Sequence, residues 1–184
     1  MIYARESVLF LVKALGDLYV MAFLLRFLLQ WVRADFYNPL AQVVVKVTDP
    51  LIKPARRLIP SLRSVDLPTL IVLVVLELAL VWMILAIASV SASAGLIAIW
   101  TILRLIRTTL SLYMFSILLY VIMSWISPGG YHPIVRVLMD LNEPLLRPAR
   151  RLLPPIGGLD LSPMLVALVI IATRIGIPLP LLLH

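Results

Sequence analysis

Six basic side chains stand in two short segments of the sequence, in a pattern that suits contact with an anionic surface. They are Lys53, Arg56, Arg57, Arg147, Arg150 and Arg151. A basic group near an anionic membrane leaflet contributes about 1 kcal/mol of attraction, so we expect these segments to contact lipid headgroups or another protein. Membrane topology and anchoring alone are the simpler alternative. Nucleic acid is disfavoured, because aromatic residues that stack on bases are not interleaved with the basic ones.

Three further ionisable residues, Glu77, Arg174 and Arg26, fall inside long apolar stretches. At 1.5 Å per helical residue, Glu77 and Arg174 lie near the middle of such a stretch. A single charge there costs at least about 2.5 kcal/mol on membrane insertion. We therefore expect a contact between Glu77 and Arg174, with Arg26 as a competing partner for Glu77. Such a pair either belongs to an ion or proton path or fixes the register of packed helices.

The sequence offers little for catalysis or for a cofactor. It has no cysteine, and its two histidines, His132 and His184, are far apart. No nucleophile with a base and an acid, no glycine loop for phosphates and no metal-ligand spacing is present. We expect a protein that is not an enzyme, with no catalytic residue, metal site or cofactor.

The composition predicts how these residues are positioned. Of 184 residues, 62% are hydrophobic and only 14% charged, whereas a soluble domain has about half and about a quarter. Four apolar stretches reach the roughly 20 residues that cross a bilayer, which predicts an all-α integral membrane protein. The first is expected to be a retained anchor, since it is too long for a signal peptide. The predicted transmembrane helices cover residues 7–32, 67–90, 105–126 and 163–183.

The third of these helices has the least distinct beginning. Residues 96–107 are apolar but include Arg104 and Arg107. We expect this part of the chain to lie at the membrane surface before the helix enters the bilayer.

An internal repeat organises the chain. Shifted by 94 positions, residues 49–60 align without a gap on residues 143–154, and eight of the eleven positions from Pro50 to Pro60 are identical. The repeat predicts two units, 1–93 and 94–184, each a helix, a Pro- and Arg-rich connector and a second helix. Because each unit crosses the bilayer twice, both units have the same orientation, related by a pseudo-two-fold axis along the membrane normal.

The two connectors, residues 33–66 and 127–162, are predicted to contain amphipathic helices. Asn38-Pro39 and His132-Pro133 are typical helix starts. In the first connector, one apolar stripe follows the helix start and consists of Leu40, Val43, Val44, Val47 and Leu51. The second connector repeats this stripe. Prolines later in each connector predict a bent pair of short helices lying on the membrane surface. A re-entrant connector that dips into the bilayer is the alternative.

Charged residues support these helices and indicate their side of the membrane. Asp49 with Lys53, and Glu143 with Arg147, are i,i+4 pairs in the favourable order. Ten of the sixteen basic residues lie in the connectors. This excess predicts that the connectors are cytoplasmic and that both termini are periplasmic.

The sequence resembles the YggT family of small bacterial inner-membrane proteins. The resemblance lies in the doubled block Asp49-Pro-Leu-Ile-Lys-Pro-Ala-Arg-Arg-Leu-Ile-Pro60, the Asp-Leu pair that follows each copy (Asp66-Leu67 and Asp160-Leu161), and the run Trp31-Val-Arg-Ala-Asp-Phe-Tyr-Asn-Pro39. It implies a multi-pass protein of the bacterial inner (cytoplasmic) membrane without known catalytic residues, linked to osmotic or extracytoplasmic stress and ion homeostasis. Plastid relatives assist haem attachment to cytochrome b6, but this chain has no intramembrane His or Cys to serve as a haem ligand.

Two hypotheses follow for the function. The first is a non-enzymatic scaffold or assembly factor whose basic connectors contact anionic headgroups and membrane proteins that the sequence does not identify. The alternative is a subunit of an osmotic or cation-linked channel or transporter, with Glu77, Arg174 and Arg26 near the path. Four helices form a narrow bundle unless several chains assemble, so a second copy of the chain is also an expected partner.

Overall fold

A computed structural model describes residues 2–60, 66–126, 132–153 and 160–183. These residues form six α-helices and a final 3₁₀ turn. The elements are α1 (Ile2–Trp31), α2 (Pro39–Leu58), α3 (Leu67–Ala88), α4 (Ala94–Ile126), α5 (Pro133–Leu152), α6 (Ser162–Ile175) and the turn Leu181–Leu183. Parts of both predicted connectors, residues 61–65, 127–131 and 154–159, lie outside the described residues.

Three helices, α1, α3 and α4, are long and apolar enough to cross a membrane. Helix α4 begins at Ala94, eleven residues before the predicted span, and continues without a break to Ile126. The entry of this helix into the bilayer near residue 105 stays a prediction. Residues 94–104 keep an apolar, helix-forming sequence, and arginines do not interrupt a helix. Arg104 is therefore part of the long helix.

Helix α6 is shorter than predicted. It ends at Ile175 and not at residue 183, and Gly176, Pro178 and Pro180 follow it in the sequence. Glycine and proline after the last helical residue are helix-stop signals, because proline cannot continue the hydrogen-bond ladder. Its 14 residues give a length of about 21 Å, less than the roughly 30 Å of a hydrocarbon core.

The connector helices begin where the sequence predicts. Asn38 Oδ1 accepts a hydrogen bond from the Leu40 N–H, and His132 Nδ1 accepts one from the Ile134 N–H. Each connector contains one continuous helix with two prolines inside it, so the predicted pair of short helices was wrong. In α2, Thr48 and Ile52 are both fully buried. Their packing on either side of Pro50 stabilises a single helix.

The core lies where the helices of the first half meet those of the second. Helix α3 packs against α1 and α4, α2 against α1 and α3, and α5 against α4 and α6 with a smaller contact to α1. The largest buried cluster includes Phe23, Ile84 and Leu112, and a smaller one in the second half includes Ile117 and Ile170. The largest cluster thus joins both halves, whereas the smaller one lies within the second half.

Helices α1 and α3 approach most tightly at Gly16. A Cβ atom placed on Gly16 would lie 2.8 Å from Leu80 Cδ2, and Leu80 is itself buried. A glycine at this point allows the two helices to pack closely, as small residues do between membrane helices.

Candidate functional site

A buried charge cluster, which we define as Asp17, Glu77 and Arg104, joins three long helices. Arg104 Nη1 lies 2.9 Å from Glu77 Oε1, and Arg104 Nη2 contacts Asp17 Oδ1. The Glu77 side chain is fully buried and that of Arg104 almost so. Glu77 lies about halfway along α3. The cluster therefore buries Glu77 and Arg104 in the helical core, leaves the Asp17 side chain 41% exposed, and links α1, α3 and α4.

The same region binds the end of the described chain. Arg104 Nε donates a hydrogen bond to the Leu183 carbonyl at 3.3 Å, and Lys13 Nζ donates one to the Leu182 carbonyl at 2.9 Å. Carbonyls outside a regular helix need such donors when water is excluded. Because Leu183 is buried in the core, these bonds fix the segment after α6 against α1 and α4.

The predicted partners of Glu77 were wrong, although it does have a basic partner. That partner is Arg104, because the long helix α4 turns this residue toward α3. Arg174 lies one residue before the end of the short helix α6 and lines a cleft of about 400 Å³ together with Arg107. Arg26 bonds to a connector helix instead. A signal for Arg104 was present in the sequence: two acids, Asp17 and Glu77, fall in apolar stretches and need a base at a similar depth.

Arg26 ties α1 to the first connector helix. Its Nη1 lies 2.9 Å from Asp49 Oδ1 and 2.6 Å from Thr48 Oγ1. Asp49 Oδ2 also pairs with Lys53 at 3.0 Å, which confirms the predicted i,i+4 pair. Burial raises the pKa of Asp49, but the hydrogen bonds and charges of Lys53 and Arg26 outweigh it and hold the pKa below its ordinary value. Asp49 is therefore an ionised link between helix and connector.

One arginine of each Arg-Arg pair is bound to an aspartate. Arg56 lies 2.6 Å from Asp66, and Arg150 lies 2.9 Å from Asp160. Arg56 is equivalent to Arg150 in the repeat, and Asp66 is equivalent to Asp160. Arg150 also pairs with Glu143 at 2.8 Å, so the predicted partner of Glu143, Arg147, was wrong. The two Arg–Asp pairs tie the end of each connector helix to a residue one or two positions before the next helix.

The two aspartates have lowered pKa values. Burial raises the pKa of Asp66, but hydrogen bonds from Arg56 and Thr69 and the charge of Arg56 lower it further than burial raises it. At Asp160, burial is likewise outweighed by hydrogen bonds from Ser162 and by Arg150. Both carboxylates are therefore ionised at neutral pH, as an ion pair requires.

The other basic candidates point outward. Arg57, Arg147 and Arg151 are exposed and form no ion pair with residues that the structure describes. Lys53 is also exposed, although it pairs with Asp49. Arg57 and Arg151 are repeat equivalents. Of the six predicted contact residues, Arg56 and Arg150 thus form ion pairs with aspartates, although the Arg56 side chain is still about half exposed. The other four basic groups are exposed.

One apolar cavity lies in the second half of the chain. A cavity of about 430 Å³ between α4, α5 and α6 is lined almost wholly by apolar groups, among them Tyr113, Pro148 and Val166. Within the described ranges, no three His, Asp or Glu residues lie close enough together to hold a metal ion.

The fold and the site together define a class of protein. It is a small all-helical protein with helices apolar enough for a membrane, in which the two connector helices and their Arg–Asp ties recur at a fixed offset. The chain belongs to the CCB3/YggT family, whose sequence pattern matches residues 6–87 and, a second time, residues 99–181.

Relatives with similar sequences cover most of the chain. It is 42% identical to the uncharacterized protein YggT of Escherichia coli strain K12 over 174 residues, which are 94% of this chain and 89% of the relative. It is 40% identical to an uncharacterized protein of Pseudomonas aeruginosa over 166 residues, 89% of this chain and 84% of the relative. No solved structure matches the chain.

Proposed function

We propose that this protein is a non-enzymatic scaffold or assembly factor of the bacterial inner membrane. In this proposal the chain crosses the membrane four times, the last time through α6 and the segment that follows it. Both connector helices lie at the cytoplasmic surface, and both termini are periplasmic. The exposed basic groups contact anionic headgroups and other membrane proteins. By family resemblance we assign the scaffold to the response to osmotic or extracytoplasmic stress.

This proposal rests on a difference between the two arginines of each Arg-Arg pair: one binds an aspartate and the other forms no ion pair with the described residues. Arg56 and Arg150 form ion pairs with Asp66 and Asp160 at the surface of the molecule, so their charges are already partly neutralised. The neighbouring arginines, Arg57 and Arg151, are exposed in both halves. Arginine presents a rigid fork of donors that matches phosphate or carboxylate groups. Two exposed arginines at equivalent positions of the repeat, Arg57 and Arg151, therefore support a surface that binds an anionic partner.

Replacing Arg57 and Arg151 together with glutamine is expected to weaken contact with anionic partners without unfolding the protein. Loss of two basic groups at an anionic surface removes about 2 kcal/mol of attraction, or roughly 30-fold in affinity. The measurement is in-cell crosslinking followed by mass spectrometry of the captured proteins, together with the retention of phosphatidylglycerol on the purified protein.

The matched control changes the neighbouring arginines, Arg56 and Arg150, to glutamine. This variant should unfold more easily, because it breaks both ties to the aspartates, but it should keep its captured partners. Unchanged capture by the variant of Arg57 and Arg151 would refute the proposed contact surface.

The buried charge cluster favours a second candidate, a subunit of an osmotic or cation-linked channel or transporter. Ionisable groups inside a membrane helix bundle commonly mark ion or proton paths. If Glu77 lies on such a path, Glu77→Gln should abolish salt-dependent ion flux into liposomes containing the purified protein. The scaffold proposal expects the same flux, equal to that of empty liposomes, from the wild type and from the variant.

A further inference from the structure

Equivalent positions of the two halves differ in burial in a consistent way. On the face of α4 that joins the main core, Leu112 is 4% exposed, whereas its equivalent on α1, Leu18, is 67% exposed. The connector helices show the same difference, since Val137 of α5 is buried and its equivalent Val43 of α2 is exposed. Val137 packs in a cluster with Leu29 of the first half. The second half thus covers this face by lying against the first half, and the first half leaves the equivalent face open.

On α3 and α6 the difference in burial is reversed, because the residue of the first half is the buried one. Val81 of α3 is fully buried, whereas its equivalent on α6, Ile175, is 80% exposed. Glu77 is also fully buried, and its equivalent Ile171 is exposed. Here the first half is covered, since α3 packs against α4. The equivalent surface on α6 is open.

The contacts between the halves are correspondingly unequal. Helix α3 packs on α4, but within the described residues α6 makes no comparable contact with α1. A closed two-fold arrangement would repeat every contact, because the same patch is used on both sides. The arrangement found here is head-to-tail, so the predicted pseudo-two-fold relation between the units was wrong. Each chain therefore joins two complementary surfaces internally and exposes a second example of each.

We propose that a second copy of this chain docks on the first and repeats the internal contact between the halves. Phe10 and Leu18 of α1 in one copy pack on the α6 face of the next, with Ile171 and Ile175. Val43 of α2 packs on Met123 of α4 in that copy, the equivalent of Leu29. The proposal goes beyond the scaffold function, since it concerns the chain's own assembly. Head-to-tail contacts of this kind generate a ring where the rotation closes.

Lipid contact alone does not explain the pattern. Helix faces that meet only lipid are expected to be exposed in both halves, as Val8 and its equivalent Ile102 are, and as Val75 and its equivalent Val169 are. The surfaces described above are exposed in one half only. Because apolar side chains gain little from leaving lipid, close packing must drive association in a membrane. The chain already shows that these two surfaces pack closely, since it buries one pair of them.

The test uses disulfide formation, for which the chain is well suited because it has no cysteine. Arg104 and Glu77 contact each other inside the chain, and their equivalents are Phe10 and Ile171. Phe10→Cys in one tagged copy and Ile171→Cys in a differently tagged copy are expressed together in membranes and oxidised. We expect mixed dimers carrying both tags at least fivefold in excess of dimers linked through the same position. A chain carrying both changes should form a ladder of larger species.

The control pair is Val8→Cys with Val169→Cys, two positions about half exposed that the proposal leaves outside the contact. A maleimide reagent confirms that all four thiols are accessible. Four results would overturn the proposal: no mixed dimer, dimers linked only through the same position, equal yields from the control pair, or closure of both cysteines within one chain. Absence of a mixed dimer means a monomer, and dimers linked only through the same position mean a two-fold dimer. Equal yields from the control pair mean random collision, and closure within one chain means a closed bundle.

Discussion

Replacing Arg104 with glutamine is expected to lower the free energy of unfolding by about 3–5 kcal/mol, the cost of leaving a buried charge without its partner. The change removes the basic group between Asp17 and Glu77 and the donor to the Leu183 carbonyl. Glu77 is fully buried and has no access to solvent. Unfolding of the purified protein in detergent, followed by tryptophan fluorescence, measures the loss.

Two comparisons distinguish this effect from a general loss of packing. Glu77→Gln combined with Arg104→Gln should be more stable than Arg104→Gln alone, since it removes the stranded carboxylate. Arg174→Gln is the matched control, because Arg174 also lies in an apolar helix but forms no ion pair with the described residues. A loss at Arg174 as large as that at Arg104 would contradict the role assigned to the charge cluster.

Local features of the connectors could be predicted because they depend on neighbours in the sequence. The helix starts at Pro39 and Pro133 follow from a capping side chain and a proline at the first turn. The pair of Asp49 and Lys53 follows from their spacing on one helix. These signals need no knowledge of how the helices pack, so the sequence was sufficient for them.

Features that depend on packing could not be predicted in the same way. Periodicity indicates that Glu77 lies in a helix, but the helix that faces it depends on how α3 and α4 pack. The division between Arg56 and Arg57 likewise depends on where Asp66 begins the next helix. The early end of α6 is different, because Gly176 and Pro178 are local stop signals. The high hydropathy of residues 176–183 favoured a longer helix, although these stop signals were present in the sequence.

The close packing of α1 and α3 gives the second large expected effect. Gly16→Val should lower the free energy of unfolding by about 1–3 kcal/mol, the usual cost of adding volume to a well-packed core. The added Cβ would meet the end of the Leu80 side chain, and Leu80 is buried and cannot move aside into solvent. This cost exceeds the roughly 0.5–1 kcal/mol that replacing glycine in a helix commonly gains. The same fluorescence measurement in detergent records it.

A double-mutant cycle shows whether the loss arises at this contact. Leu80→Ala alone should lower the free energy of unfolding by about 2–5 kcal/mol through the cavity that it leaves. The double variant Gly16→Val with Leu80→Ala should lose less stability than the sum of the two single losses, because the valine fills part of that cavity. Gly95→Ala is the control, since no atom lies within 4 Å of its added Cβ, and it should not destabilise the protein. Strict additivity of Gly16→Val and Leu80→Ala would mean that α1 and α3 do not meet at these residues. The helix packing that places Asp17 beside Arg104 would then also be wrong, because Asp17 directly follows Gly16 on α1.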